Sequence, residues 1–542
     1  MDKLKLMGIA LALLATCSTV HAQRNKDKGK DNKTNTNAPA TADDKKPKPY
    51  KEVITKKALT KKGMITVHKL EDKWYFEIAD TLLGREIICV TRYSKTVAGC
   101  GQYGGEQINS QVIKFERGPG TKMFMRAVSY VITSADSTKP MFQAVKNSNS
   151  DPIIGAFDIK AIRKDTACVI EVTDYFNSDN QAFSLSPAAK QSMRLTTFQK
   201  ERSYINKIST FPLNTEIRTV KTYDVLPPTV NSPGAFTQAG LDVGVITLEL
   251  NTSMVLLPEV PMRKRYFDAR VGFFASGLVV YGEESKQAEQ DVFALRWRLE
   301  PKNAADAEKQ KRGELIEPKK PIVYYIDPAT PVKWRKYLKL GVDDWNVAFE
   351  QAGWKNAIRG EYWPEKDTTM SLEDARFSVI RYFASDIQNA YGPNVHDPRS
   401  GEILESHIGW YHNVMRLLHD WYFVQTAAVD ARSRKNDFDD ELMGQLVRFV
   451  SSHEVGHTLG LRHNFGASSA TPVEMLRNKE YCAKNGHTSS IMDYARFNYV
   501  AQPEDGVEDL FPRIGDYDKW AIEWGYRWMP EYKTPEEEIP AL

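Results

Sequence analysis

The segment from His453 to His463 contains the residues most capable of metal binding and catalysis, in the order His-Glu-Val-Gly-His-Thr-Leu-Gly-Leu-Arg-His. His453 and His457 stand about one helical turn apart, so both imidazoles can leave one helix face and bind one metal ion. The Glu454 carboxylate can accept a proton from an attacking water without being a ligand. Gly460 can adopt a positive φ that ends the helix and lets His463 complete the ligand set. Three neutral imidazoles and one open position predict a single catalytic Zn²⁺ ion.

A lone histidine on a packed helix is more commonly a hydrogen-bonded polar residue than a metal ligand. This alternative applies to His453 and to His457 when each is considered by itself. The whole eleven-residue pattern is expected by chance in only about one chain in a hundred thousand of this length. The combination therefore favours a catalytic zinc site.

A second motif follows downstream, Ser489-Ser490-Ile491-Met492-Asp493-Tyr494. With the histidine segment, it resembles the pattern of metzincin metallopeptidases. The resemblance implies that Met492 forms the turn beneath the metal site, where its thioether packs under the histidines without binding zinc. It implies that Tyr494 either ligates zinc or stabilises the tetrahedral oxyanion. The alternative for Tyr494 is a wall position in the substrate pocket.

The whole chain, including its strand-rich region and the run 261–268, resembles zinc-dependent metalloproteases with long uncharacterised amino-terminal regions from Bacteroidetes-type bacteria. The resemblance implies a zinc metalloendopeptidase, a hydrolase that acts on protein or peptide substrates. Asn464 departs from the pattern, because the residue after the third histidine usually identifies a branch and Asn marks none of the matrixin, astacin, adamalysin or serralysin groups. The subfamily stays open.

Several elements must position these residues within 321–542. An amphipathic helix is predicted from about Asp440 into the histidines, because apolar side chains recur at helical spacing. Strands are predicted at 322–326, 377–383 and 402–410, and a closing helix is predicted to be capped by Asp516. The metzincin resemblance places 402–410 at the sheet edge, where an extended substrate could add by backbone hydrogen bonds.

The predicted fold class is α+β and multidomain, with a β-rich amino-terminal region before a metzincin-like α/β domain. Short runs of Val, Ile, Tyr and Phe indicate one or two β-rich domains over 51–300. The charged stretch 301–320 is predicted to be a linker. The amino-terminal region could alternatively be an inhibitory prosegment, in which Asp268 is one candidate inhibitor, although a surface or capping role is more common for such an aspartate.

The first 22 residues are typical of an export signal, with Lys3 and Lys5, an apolar run over 6–15, and small residues before a cleavage site near Ala22. Lipidation at Cys17 is a minor alternative. Residues 23–50 lack apolar periodicity and are predicted to be a flexible linker. The prediction is therefore an exported protein, in the periplasm, at the cell surface or secreted.

Composition excludes several function classes. The chain is 42% hydrophobic and 26% charged, which is typical of globular proteins. The first 50 residues contribute +5 and residues 51–542 contribute −2 to the net charge of +3, so no basic face in the predicted folded part supports nucleic-acid binding. No segment after the signal is apolar enough to span a membrane. Four cysteines remain without a CxxC pair; Cys89 and Cys168 are expected to be buried, and a Cys89–Cys100 bridge stays open.

The alternative function is a surface or periplasmic binding protein with a latent or scaffolding zinc domain. The oligomeric state stays open.

Overall fold

The computed structural model describes residues 46–97, 100–130, 132–134, 138–226 and 243–542. The predicted signal peptide and most of the predicted linker lie outside these ranges. Pro47–Leu542 form one compact unit. No helix in the described ranges has the length and apolar character needed to cross a bilayer.

The amino-terminal region is rich in β-structure, as predicted. Thirteen of its described strands form one largely antiparallel sheet, with the path β11-β13-β14-β5-β6-β7-β9-β10-β4-β3-β2, to which β1 and β12 add at β9 and β13. A smaller sheet contains β8, β15 and β16. The strands are β1 Lys48–Pro49, β2 Leu59–Lys61, β3 Thr66–Leu70, β4 Lys73–Ala79, β5 Glu86–Lys95, β6 Gln107–Arg117, β7 Lys122–Val128, β8 Ile132–Thr133, β9 Ile153–Arg163, β10 Ala167–Glu171, β11 Leu195–Phe198, β12 Tyr204–Thr210, β13 Asn214–Val225, β14 Val245–Leu256, β15 Ala275–Val280 and β16 Glu289–Ala294.

One apolar core stabilises much of this large sheet. Strand β9 alternates accessible and buried side chains, as expected when one face covers a core. Phe76 and Phe115 are fully buried in that core. Cys89 and Cys168 are buried and free, which confirms the prediction, whereas the open alternative of a Cys89–Cys100 bridge is wrong because Cys100 is also free.

The carboxy-terminal region contains a mixed five-stranded sheet of order β18-β17-β19-β23-β20. All neighbours in it are parallel except β20, which is antiparallel to β23. Its strands are β17 Ile322–Ile326, β18 Ile358–Tyr362, β19 Ser378–Phe383, β20 Ala390–Tyr391 and β23 His407–Tyr411, and a separate ribbon pairs β21 Val395–His396 with β22 Ile403–Glu405.

The expectation that 402–410 is the edge strand is wrong. That segment is split into β22 and β23, and β23 lies between β19 and β20. The edge strand on that side of the sheet is β20, which is only two residues long, and the opposite edge is β18. The Ala-Tyr sequence of β20 is too short to give a strand pattern, so the metzincin resemblance assigned the edge to the longer segment before the active-site helix.

The helices occur in both regions. They are α1 Tyr50–Val53, α2 Pro140–Ser148, α3 Thr173–Asn177, α4 Pro187–Ser192, α5 Ala304–Lys311, α6 Val332–Asp343, α7 Asn346–Gln351, α8 Val414–Thr426, α9 Asp440–Thr458, α10 Lys479–Asn485, α11 Asp516–Tyr526 and α12 Pro535–Glu538. The predicted helix through the histidines is confirmed as α9 and the closing helix as α11. Asp516 is not the cap of α11: the helix begins after Gly515, whose N–H donates to Asp518.

The end of the amino-terminal region packs into the carboxy-terminal core. Phe273 is fully buried against Trp524, and Trp297 donates its indole N–H to the Thr458 carbonyl at 2.9 Å. The charged stretch 301–320, predicted to be a linker, contains α5. The α+β fold class is confirmed, and the proposed domain boundaries stay a prediction.

Candidate zinc site

Helix α9 presents two of the predicted ligands. The Asp439 side chain accepts a hydrogen bond from the Leu442 N–H at 2.8 Å and caps the helix, whose apolar side chains face the core. His453 is buried and His457 is half-buried at the other end. Their rings lie 4.9 Å apart, so the predicted pairing of the two histidines on one face is confirmed.

The three predicted histidines converge through their Nε2 atoms. His463 Nε2 lies 3.3 Å from His453 Nε2 and 3.1 Å from His457 Nε2. Tetrahedral zinc with Zn–N distances of about 2.0–2.1 Å separates its nitrogen ligands by about 3.3 Å, so the spacing fits that ion.

Two backbone carbonyls select the tautomer that a metal requires. His453 Nδ1 donates to the Ile491 carbonyl at 2.8 Å, and His457 Nδ1 donates to the Leu461 carbonyl at 2.9 Å. The Nε2 lone pairs of both rings are therefore left free toward His463. Burial also lowers the pKa of His453 to about 3 and that of His457 to about 4, which favours the neutral rings that bind metal. Converging lone pairs repel one another unless a cation lies between them.

Glu454 lies beside the cluster with its carboxylate buried. Burial raises the pKa of Glu454 to about 8, and a backbone hydrogen bond from Gly392 opposes part of that shift. Gly392 directly follows edge strand β20, so the edge of the sheet and α9 meet at this carboxylate. The position suits a group that gains and loses a proton, because a bound dication would favour its charged form.

The loop that carries His463 depends on the amino-terminal region. Gly460 has φ +100°, which confirms the predicted left-handed turn, and a Cβ there would overlap the Leu295 carbonyl. The Gly460 carbonyl accepts from Phe274 N–H at 2.7 Å, and the Arg462 N–H donates to the Gly272 carbonyl at 2.7 Å. A short antiparallel pairing with 272–274 therefore holds the chain just before the third histidine.

Met492 packs against α9 at Gly456, a position between His453 and His457 in the sequence. It is fully buried, and its sulfur packs on Gly456, where a Cβ would overlap that sulfur and come within 2.8 Å of Trp345. The Met492 carbonyl accepts from the Asn464 N–H at 3.0 Å, which ties the turn to the residue after His463. Gly456 thus admits the methionine, a packing role that the sequence pattern did not reveal.

Asp518 on the closing helix anchors the same turn. It is fully buried and accepts hydrogen bonds from Ser490 Oγ at 2.6 Å, Ile491 N–H at 2.7 Å and Gly515 N–H at 2.9 Å. The Ile491 carbonyl also accepts a hydrogen bond from His453, so one residue, Ile491, connects Asp518 to the zinc site. Sequence reasoning missed this role; the position three residues after the helix cap was the available signal.

Tyr494 lies beside the histidine cluster and is partly exposed. Its half-exposed ring lies 4.4 Å from the His463 ring and 5.7 Å from the His453 ring. The exposed Phe465 ring stacks on His463 at 5.1 Å. The structure therefore brings together all the residues singled out from sequence for this site, whereas Asp268 binds Arg270 at the surface.

Comparison with known families agrees with this geometry. A family described as Met-zincin matches residues 435–542. Two families described as domains of unknown function, DUF5118 and DUF5117, match residues 47–96 and 105–302. No curated protein and no solved structure matches the chain. The family match and the histidine cluster together identify residues 435–542 as a region of metzincin type with a three-histidine site that fits zinc.

Proposed function

We propose that the protein is an exported zinc-dependent endopeptidase that holds one zinc ion on His453, His457 and His463 and hydrolyses peptide bonds. The observation that carries the proposal is the convergence of three Nε2 atoms at 3.1 and 3.3 Å, with a buried carboxylate beside them. A structural zinc site would normally close its fourth position and would need no base beside its ligands.

Glu454 is the general base in this proposal. When bound, zinc supplies a Lewis acid that polarises the scissile carbonyl and acidifies the attacking water. Glu454 accepts the proton of that water and passes it to the leaving amine. The burial of the carboxylate supports this role, because a carboxylate removed from water is a stronger base than an exposed one. The hydrogen bond from Gly392 supports a fixed orientation of the carboxylate.

Tyr494 is proposed to donate its hydroxyl to the oxyanion of the tetrahedral intermediate. Its ring lies against two of the three histidines, and no hydrogen bond occupies its hydroxyl within the described residues. Tyr494→Phe would then lower kcat with little effect on zinc content. A change confined to KM and cleavage preference would instead support the alternative, a wall of the substrate pocket.

The proposal is tested by incubating the purified protein with a peptide library and identifying the cleavage sites by mass spectrometry. Glu454→Ala and a chelator-treated sample are the controls. Cleavage by the native protein alone, with zinc retained in Glu454→Ala, is the expected result. Zinc binding without cleavage would favour the alternative, a surface or periplasmic binding protein whose extensive β-sheet region recognises a partner.

Export is proposed from the amino-terminal sequence, whose basic, apolar and small-residue segments end near Ala22. The test is expression in a bacterial host with sequencing of the mature amino terminus. Cleavage after Ala22 and recovery outside the cytoplasm would support export. An intact amino terminus in the cytoplasm would contradict it.

A further inference from the structure

Arg496 lies just beyond the Met492 turn and is held between two aromatic rings. Its Cζ atom is 3.8 Å from the ring centroid of Trp421 on α8 and 4.0 Å from that of Tyr494. Both rings lie against the guanidinium, and its N–H groups have no hydrogen-bond partner among the described residues.

The backbone of Arg496 is also fixed. Its φ is +59°, and its carbonyl accepts a hydrogen bond from His487 Nε2 at 3.1 Å. A left-handed backbone, a hydrogen bond from the buried His487 and two adjacent aromatic rings together restrict the side chain to one region. The guanidinium is therefore oriented before any ligand arrives, which lowers the entropy lost on binding.

Arg496 has no anionic partner within ion-pair distance among the described residues. The Asp493 carboxylate influences its pKa only from beyond that distance and accepts instead from the Ser468 N–H at 2.6 Å. Most other partly buried arginines among the described residues form an ion pair with a carboxylate, as Arg448 does with Asp344. An unpaired guanidinium beside a zinc site is electrostatically costly, and an anion brought by a ligand would relieve that cost.

The location places this cation within reach of a bound substrate. Ring contacts of 4.0 and 4.4 Å lead from Arg496 through Tyr494 to His463. An extended peptide advances about 3.4 Å per residue, so a carboxylate within one or two residues of the scissile bond would meet the N–H edges.

We propose that Arg496 is a specificity-determining residue that selects peptides with a carboxylate close to the scissile bond, by a bidentate hydrogen-bonded ion pair. This inference rests on the proposed endopeptidase function. The carboxylate has two possible sources, an Asp or Glu side chain or the free carboxy terminus of the peptide.

The kinetic test uses twin peptides built on a sequence that the protein cleaves, with Asp or Asn beside the cut and a free or amidated carboxy terminus. Arg496→Gln should lower kcat/KM for the preferred acidic twin by roughly 10- to 100-fold, with little change for its neutral twin. Arg496→Glu should reverse the preference toward a Lys-containing twin. Loss with the Asp peptide identifies a side-chain carboxylate, and loss only with the free terminus identifies the α-carboxylate.

Arg416→Gln is the matched control, because Arg416 is an exposed arginine on the same helix as Trp421 and pairs with Asp420 at the surface. It should leave the acidic preference unchanged. An equal loss for acidic and neutral twins in Arg496→Gln would show that Arg496 only positions Tyr494, and would overturn the proposal. An unchanged preference would also overturn it.

A binding measurement separates this inference from the proposed function. Fluorescent acidic peptides and their neutral twins are titrated into the zinc-loaded Glu454→Gln protein, with and without Arg496→Gln. Tighter binding of the acidic twin that disappears with Arg496→Gln supports the inference even if the native protein cleaves no peptide. Acidic binding that survives Arg496→Gln, as binding to zinc alone would, refutes it.

Discussion

Replacement of Asp518 by alanine should weaken both the fold and the zinc site. Asp518 accepts hydrogen bonds from two buried backbone N–H groups, of Ile491 and Gly515, and from the Ser490 hydroxyl, at 2.6 to 2.9 Å. Alanine leaves the two N–H groups without an acceptor, and each buried unsatisfied donor costs about 1–3 kcal/mol. With the lost hydroxyl contact, the expected decrease in unfolding free energy is about 3–5 kcal/mol.

The zinc site should respond because Ile491 links Asp518 to His453. The Ile491 carbonyl accepts from His453 Nδ1 at 2.8 Å, so movement of the turn removes the group that orients this ligand. Loss of such a partner typically lowers metal affinity by about 10- to 100-fold. Urea unfolding followed by circular dichroism measures the first effect, and competition with a zinc chelator measures the second.

Two variants serve as controls. Asp518→Asn keeps an oxygen acceptor in place and should cost much less than Asp518→Ala. Asp516→Ala removes a side chain that is 80% exposed on the same helix turn and should have a far smaller effect. The reasoning is refuted if Asp518→Ala is no less stable than Asp516→Ala, or if it unfolds more easily but binds zinc with native affinity.

Three further predictions follow from the same contacts. Glu454→Gln should reduce turnover by about 100-fold or more with zinc content unchanged by metal analysis; near-native turnover would contradict the assigned base. Phe273→Ala should lower the unfolding free energy in urea by about 3–5 kcal/mol, because the ring is fully buried in the carboxy-terminal core, whereas Leu59→Ala at an exposed site should have little effect. Burial raises the pKa of Asp518 to about 7, above the unfolded value of about 3.9. At pH values between these two pKa values, Asp518 is therefore protonated in the folded protein and ionised in the unfolded chain. Native stability should therefore fall relative to Asp518→Asn as pH rises from about 4 to 7, and parallel pH profiles of the two proteins would contradict the shift.

The local sequence is sufficient to predict most of the zinc site. The spacing of His453 and His457 places both side chains on one helix face whatever the rest of the chain does, because helical geometry is local. The left-handed turn at Gly460 is likewise a local backbone property. Strands such as Ile322–Ile326 were predictable because continuous apolar runs indicate buried strands.

Pairing partners could not be predicted in the same way. The edge strand Ala390–Tyr391 is two residues long, and its position beside Glu454 results from the order of strands in the sheet. The role of Asp518 depends on the packing of the closing helix against the turn before Met492. Neither contact leaves a periodic pattern in the sequence, because the two partners are distant along the chain.

The sequence thus predicts the candidate metal ligands, the candidate base and the helix that carries His453, Glu454 and His457, since residue type and 3.6-residue periodicity operate over a few neighbouring residues. Tertiary packing determines which distant backbone groups hold those residues. Gly272 and Phe274 of the amino-terminal region hydrogen-bond to the loop before His463, and Phe273 fills the core behind it. Arg496, which has no ion-pair partner among the described residues, is held beside the site because Trp421 and Tyr494 come together around it. Such contacts form when the whole chain buries its apolar surface, which no local pattern encodes.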